Sequence, residues 1–260
     1  MAHPSYYVRG KVVPSVTTVL SRFKDPGALM HWSWECAYKP LEEAVHLITE
    51  LTGPNRARPI NRTNGQKFLQ TNPLEKGKFR KVAGDAATAG TLAHGLVEQW
   101  IHGDKGERSS LEHLTPRSLS SRKKCDIQIA TKTLQSLQAF LKWIKQTRFE
   151  LSVTEESLVS NTYGFGGTLD CTGWLNDTLI LLDWKTSKRI YVDYLLQIAA
   201  YTILWNENYD PVIDEAHVIL FHKETGDFQH FQFQDLEPAR EVFLKMLEIY
   251  RTLKEIEKRM

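Results

Sequence analysis

Cysteine is scarce in this sequence of 260 residues. Cys36, Cys125 and Cys171 stand far apart and form no C-x-x-C pair, which argues against a zinc ribbon or an iron–sulfur cluster. An odd cysteine count suits a reducing compartment. Charge of one sign is lacking too. The formal net charge is +2, so any grip on a polyanion must come from local clustering. No run approaches the ~20 apolar residues of a membrane helix, so no membrane partner is expected. The start, "MAHPSYYVRGKVV", lacks the apolar stretch of a signal peptide and is poor in the arginine and serine of a transit peptide. The expectation is a soluble, cytoplasmic protein. Repeats and low-complexity tracts are absent.

What is present reads as alternating element types. The first 50 residues suit a turn and then helix, with Ser15, Thr17 and Thr18 after Pro14 at a helix start and an interruption at Pro40. Residues 53–81 are punctuated by Pro, Gly and Asn, and their eight Lys or Arg face one acid, Glu75. This predicts a basic loop or short helical excursion. "AATAGTLAHGLVEQWIHG" is helical, stopping at Gly103, and polar residues 104–125 read as loop. Ile127, Ala130, Leu134, Leu137, Leu141 and Ile144 make one helix face. Period two then predicts strands at "LSVTEESLVS", "GGTLDCTGWL" and "TLILLDWK", with turns at "YGFGG" and "ND". A helix "YLLQIAAYTILW", two strands joined at Thr225 and Gly226, and a last helix from Pro238 follow. That helix presents Val242, Met246, Ile249, Leu253 and Ile256. The expected fold is α/β, a mixed central sheet flanked by helices with an N-terminal helical region.

One stretch does not read as ordinary core. Leu179 to Leu182 are apolar on both faces, as in a central strand, yet the run ends in Asp183, Trp184 and Lys185. Asp183 and Lys185 share a face, and such charges are costly unless paired or metal-bound. Alone, the pair is a salt bridge at a strand end. Asp170, on the preceding strand, changes that. Adjacent strands lie ~4.8 Å apart, and two carboxylates so close repel unless a proton or cation lies between them. Mg²⁺ suits such oxygen donors, and Lys185 beside it can orient or help deprotonate a water or balance a phosphate. This is equipment for metal-assisted phosphodiester hydrolysis. Glu156 could add a ligand, with Glu155 its rival because alternation alone leaves the face open. Gln197 needs partners in an apolar helix, and Tyr201 lies one turn on; a satisfied core pair explains them equally well. His94 and Glu98 share a helix face, and His94 is a candidate ligand.

"GFGGTLDCTGWLNDTLILLDWKTSK…LLQIAAY" resembles the PD-(D/E)XK nuclease superfamily, RecB-like branch, with its restriction-endonuclease-like core. Gly167 and Asp170 match that family's Gly-x-x-Asp, and Asp183, Lys185 and Thr186 its Asp-x-Lys-Thr. Gln197 and Tyr201 match its Gln-x-x-x-Tyr, and Gly90 and His94 its upstream helix. "VPSVTTVLSRFKDP…W" is similar to the phage and mitochondrial genome maintenance exonuclease subgroup, as is "ESLVS", which favours Glu156. The likeness covers about residues 13–34 and 84–222. Ala89 stands where the family often has arginine.

The resemblance implies one nuclease domain, 1–260: an N-terminal region 1–82, a catalytic core 83–235 and a C-terminal helix 236–260. It implies a Mg²⁺- or Mn²⁺-dependent DNA exonuclease without an iron–sulfur cluster, acting on single-stranded ends in replication, recombination or repair, with a lean toward phage. Metal ligands would be His94, Asp170, Asp183 and the Trp184 carbonyl, with Glu156 supporting. Lys185 would be the water-positioning base, and Gln197 and Tyr201 would hold Lys185 or the phosphate. Ser15 and Thr17 are assigned to DNA. So are Arg56, Arg58, Arg62, Lys67, Lys76, Lys78, Arg80 and Lys81, dense enough for a salt-dependent grip. Phe68 and Phe79 could stack bases, although a solvated loop with anchoring aromatics fits as well. Arg122, Lys123 and Lys124 form a weaker basic cluster. Alternatives are a structure-specific endonuclease, a duplex exonuclease, a nucleic-acid-binding module without catalysis, and a metalloenzyme for small phosphate esters.

Overall fold

The computed structural model describes residues 5–23, 73–187 and 189–260. Met1–Lys24 with Gly90–Met260 form one compact unit, and Asp25–Ala89 a second. Of the second unit the described part, 73–89, is helix.

A five-stranded sheet organises the larger unit. Its strands are β3 (Phe149–Ser160), β4 (Phe165–Leu175), β5 (Thr178–Lys185), β6 (Ala216–Phe221) and β7 (Phe228–Phe233), in that spatial order. β5 and β6 run parallel and the other neighbours antiparallel, so the expected mixed α/β fold is present. A parallel pair needs a crossover, which helix α6 (Val192–Asn208) supplies. The β4–β5 turn falls at Asn176 and Asp177, both left-handed with φ 49° and 65°, the geometry that closes two-residue hairpins.

Helices cover both faces of the sheet. On one, α1 (Val16–Arg22), α6 and α7 (Glu237–Arg259) bury Leu181, Leu204, Phe243 and Phe165. On the other, α2 (Pro73–His102), α4 (Pro116–Lys123) and α5 (Ile127–Gln146) bury Leu182, Trp184, Phe140 and Trp143. β5 contributes to both cores, which explains its unbroken apolar run. No described helix is long and apolar enough to cross a membrane.

Several expectations need correction. Residues 104–125 are not loop: α3 (Lys105–Glu112) and α4 occupy most of them. Caps rather than apolar periodicity nucleate both. Asp104 and Glu107 form one capping box, and Thr115 and Ser118, ahead of Pro116, form another. The N-terminal turn is a hairpin, β1 (Tyr6–Val8) and β2 (Lys11–Val13), closed by Arg9 and Gly10 at φ 49° and 75°. α2 begins at Pro73, so Lys76, Lys78, Phe79, Arg80 and Lys81 lie on a helix rather than a loop. Arg56, Arg58, Arg62, Lys67, Phe68 and the helix read before residue 53 lie outside the described residues. α7 buries Ala239, Phe243 and Leu247, whereas Val242, Ile249 and Ile256 are exposed; the apolar stripe sits beside the buried face. In α5, Ile127 is exposed and Phe140 and Trp143 extend the buried face.

A chain of hydrogen bonds crosses α5, β7 and β6. Trp143 Nε1–H donates to His230 Nδ1 (3.4 Å), so His230 carries its proton on Nε2, which faces His217 Nδ1 at 2.7 Å. His217 then donates from Nε2 to Glu215 at 2.6 Å. Gln232 and Gln234 also donate to Glu215. This arrangement is complete only with both imidazoles neutral. Burial, then the His217 charge, lowers His230 from 6.5 to about 4; burial also lowers His217. An imidazole with a depressed native pKa contributes stability that is full above the unfolded value and lost as pH falls toward the native one. The melting temperature is therefore expected to fall between pH 6.5 and 5, less steeply in His230→Gln. Parallel slopes in a pH series of thermal melts would refute this.

Candidate active site

β4 and β5 pair from Leu175–Thr178 to Cys171–Leu182, and there the pairing stops. Beyond it stand Asp170 on β4 and Asp183 on β5. The Trp184 amide donates to Asp170 Oδ2 at 3.1 Å, so a carboxylate takes the place of the next ladder partner. Asp183 is fully buried. Lys185 Nζ, one side-chain period along, donates to Asp183 Oδ1 at 2.8 Å. It also stands 2.6 Å from Oδ2, but outside hydrogen-bonding geometry, so that buried oxygen has no hydrogen-bond partner.

α2 brings His94 to the same place. Its Nδ1 is 3.8 Å from Asp170 Oδ2. Gly90, one turn earlier, allows the approach: a Cβ there would meet Thr186 Oγ1 at 2.9 Å. α6 closes the other side. Gln197 donates to the Tyr201 hydroxyl at 2.9 Å, and the Tyr201 ring lies on Gly167, where a Cβ would stand 2.7 Å from it. Both matched glycines are thus places where a neighbouring side chain lies directly on bare backbone.

The electrostatics follow from burial of like charges. Burial raises Asp183 from 3.8 to about 6, opposed by Lys185 and reinforced by Asp170. Burial likewise raises Asp170, against Lys185, the Trp184 amide and Asp183. On Lys185 burial works downward, but Asp183 and Asp170 outweigh it and hold the ammonium above its ordinary value. Burial, then Lys185, lowers His94 from 6.5 to about 4, so its imidazole is neutral at neutral pH.

Among the expected residues, His94, Asp170, Asp183, Trp184, Lys185, Gln197 and Tyr201 converge. The two candidate glutamates have different surroundings, Glu155 being exposed and Glu156 half-buried. The Glu156 carboxylate accepts from the Tyr209 hydroxyl at 2.8 Å, while Glu155 is the glutamate that Asp170 influences. Burial, then Asp170 and Glu98, raises Glu155 from 4.5 to about 7. The difference is local: Glu155 has φ 49°, which breaks the strict alternation of strand side chains. Ser15 caps α1 through the Thr18 amide, and Ser15 and Thr17 line a cavity that reaches Gly167 and Tyr201. Lys81 is exposed. Tyr194 was missed. Its ring centre is 5.3 Å from Lys185 Nζ, a cation–π distance, and the spacing of 194, 197 and 201 on one helical face was the available signal.

A divalent cation fits this donor set chemically: two close carboxylates, one oxygen of them unbonded, and a neutral imidazole. Among the described residues no three His, Cys, Asp or Glu side chains already stand at metal-ligand spacing. Here the Lys185 ammonium neutralises Asp183 and the Trp184 amide engages Asp170.

No protein-family model matches the sequence, and no curated protein matches it. Among solved structures, the alkaline exonuclease LHK-Exo from Laribacter hongkongensis is 14% identical, covers 64% of this chain and 92% of its own, and has a TM-score of 0.32. LHK-Exo in complex with dAMP gives 15%, 67%, 96% and 0.33. A phage related exonuclease from Haemophilus somnus 129PT gives 13%, 63%, 95% and 0.28.

Two outcomes are expected from thermal melts. A carboxyl whose native pKa is raised opposes folding once ionised, so Asp170→Asn melts higher than wild type in EDTA at pH 7.5. In Mn²⁺ the order narrows or reverses, because only wild type gains from binding. A variant that melts lower in EDTA would overturn the repulsion argument. Gly90→Ala adds helix propensity yet displaces the His94 helix from Thr186. It should keep its EDTA melting temperature and lose most of the Mn²⁺ response. Adding Thr186→Ala should restore it, an interaction that a double-mutant cycle measures.

Proposed function

We propose that this protein is a divalent-cation-dependent nuclease that hydrolyses DNA phosphodiester bonds from single-stranded ends. The observation that carries the reading is a fully buried Asp183 beside the half-buried Asp170, with Lys185 on the Asp183 carboxylate, at the end of a central strand. A structural ion pair needs one acid; the second raises the cost of burial and is explained by a cation. Mg²⁺ or Mn²⁺ would supply Lewis-acid polarisation of the phosphate and a lowered pKa for an attacking water.

The chain's own residues have definable tasks. Asp170, Asp183, the neutral His94 imidazole and the Trp184 carbonyl would hold the cation. Lys185 would orient the attacking water or donate to a phosphate oxygen, with Tyr194 behind its ammonium. Gln197 and Tyr201 form a rigid polar wall on the α6 side. Glu156, which accepts from Tyr209, or its neighbour Glu155 would be the supporting carboxylate. End-directed cutting of single strands is the mode the His-bearing helix and the basic stretch suggest, and replication, recombination or repair is the corresponding setting.

The test is an end-labelled assay on linear and circular single-stranded DNA with Mg²⁺, Mn²⁺ or EDTA. Wild type should degrade the linear strand only, and only with metal. Lys185→Ala and Asp183→Asn should each lose at least about 100-fold, the lower range for removal of a general acid–base group. Cutting of the circle would make the protein an endonuclease. Undiminished cutting by Lys185→Ala would reject this site, and binding without cleavage by any form would leave a binding module.

A further inference from the structure

The β1–β2 hairpin has an inward and an outward face. Inward, Tyr6 covers Gly166, where a Cβ would come within 2.4 Å of the ring, and its hydroxyl lies 2.8 Å from Thr168 Oγ1. Outward, the cross-strand pair Tyr7 and Val12 is 56% and 69% exposed. The left-handed Arg9–Gly10 turn makes this a stiff two-residue hairpin. Arg9 lies in the turn and Lys11 follows it, opposite Val8 and so directed to the other face of the ribbon from Tyr7; both are exposed, and neither has an ion-pair partner among the described residues. Residues 5–23 contain Arg9, Lys11 and Arg22 and no acid.

An exposed aromatic ring on a narrow two-stranded ribbon, with one cation in its turn and one on its other side, matches one kind of ligand. The ring stacks a base and the cations meet the phosphates on either side. The position is also apt. A cavity of about 150 Å³, lined by Tyr6, Ser15, Thr17, Gly167, Thr168 and Tyr201, joins the hairpin's inner face to α6. Tyr201 there carries the hydrogen bond from Gln197.

We propose that the hairpin is a docking element for single-stranded nucleic acid, with Tyr7 stacking an unpaired base and Arg9 and Lys11 holding the flanking backbone. This rests on the nuclease reading for its substrate and adds where the strand goes after leaving the carboxylates. A duplex, whose bases are already stacked, gains nothing from Tyr7.

The experiment uses the full chain. Anisotropy of a labelled single strand of roughly 16 nucleotides, within the site size of such grooves, is read in EDTA across a salt series. Hydrolysis of bis-p-nitrophenyl phosphate, too small to reach the hairpin, is read with Mn²⁺. Tyr7→Ala should weaken strand binding about tenfold, within the range of one lost base–aromatic stack, and leave duplex binding and ester hydrolysis unchanged. Tyr7→Phe should bind as wild type. Arg9→Gln with Lys11→Gln should reduce the slope of log K against log salt by about 1.4, at ~0.7 per phosphate on a single strand.

Strand affinity of Tyr7→Ala within about twofold of wild type, less than 0.5 kcal/mol, overturns the proposal. So does equal weakening on duplex. Self-association lost in Tyr7→Ala, with strand binding intact, overturns it in favour of a second copy. If no form hydrolyses the ester yet strand binding depends on Tyr7, the hairpin assignment stands and the nuclease reading falls. Ester and strand both cut, with no effect of Tyr7, means the reverse.

Discussion

Two carboxylates placed against each other where water is scarce form the constraint around which the rest of this molecule is arranged. Asp170 and Asp183 cannot both be ionised there at low cost, so each is given something. Asp170 receives the Trp184 amide; Asp183 receives the Lys185 ammonium. Lys185 is in turn held in place by the Tyr194 ring. The Trp184 side chain, pointing the other way, packs edge-on against Phe140 at 6.0 Å between ring centres. The polar side of β5 is therefore braced by the apolar core behind it. Loss of packing at Phe140 would loosen the Asp–Trp–Lys segment without touching a polar group.

Much of this was legible before any coordinates. Alternating and 3.6-residue periods gave the central strands, α5 and α6, because those elements bury one face or both and their patterns are strong. The juxtaposition of Asp170 and Asp183 followed from two strands and a two-residue turn. Elements with little buried surface were not legible. α3 and α4 owe their existence to capping side chains such as Asp104 and Thr115, and the short hairpin to backbone dihedrals at Arg9 and Gly10. Neither signal shows in a hydrophobic pattern.

Within the site the limits were equally physical. His94, Gln197 and Tyr201 came from helical spacing, which is reliable over one turn. Alternation left Glu155 and Glu156 open because it presumes ordinary strand dihedrals, and Glu155 departs from them. Gly90 and Gly167 matched a pattern whose reason only the packing supplies. At one, helix α2 approaches Thr186; at the other, the Tyr201 ring lies on bare backbone.

The β4–β5 turn at Asn176 and Asp177 lies at the far end of the ladder from the two aspartates, yet it sets which residues of the two strands face each other. A single residue added to either strand would slide one carboxylate past the other and turn its side chain to the opposite face. Residues added in pairs, one to each strand next to the turn, would carry the turn outward and leave the two acids where they are. Descendants of this chain can therefore vary the hairpin's length only by even steps, and the spacing between the two aspartates keeps a fixed parity while everything beyond the turn is free to change.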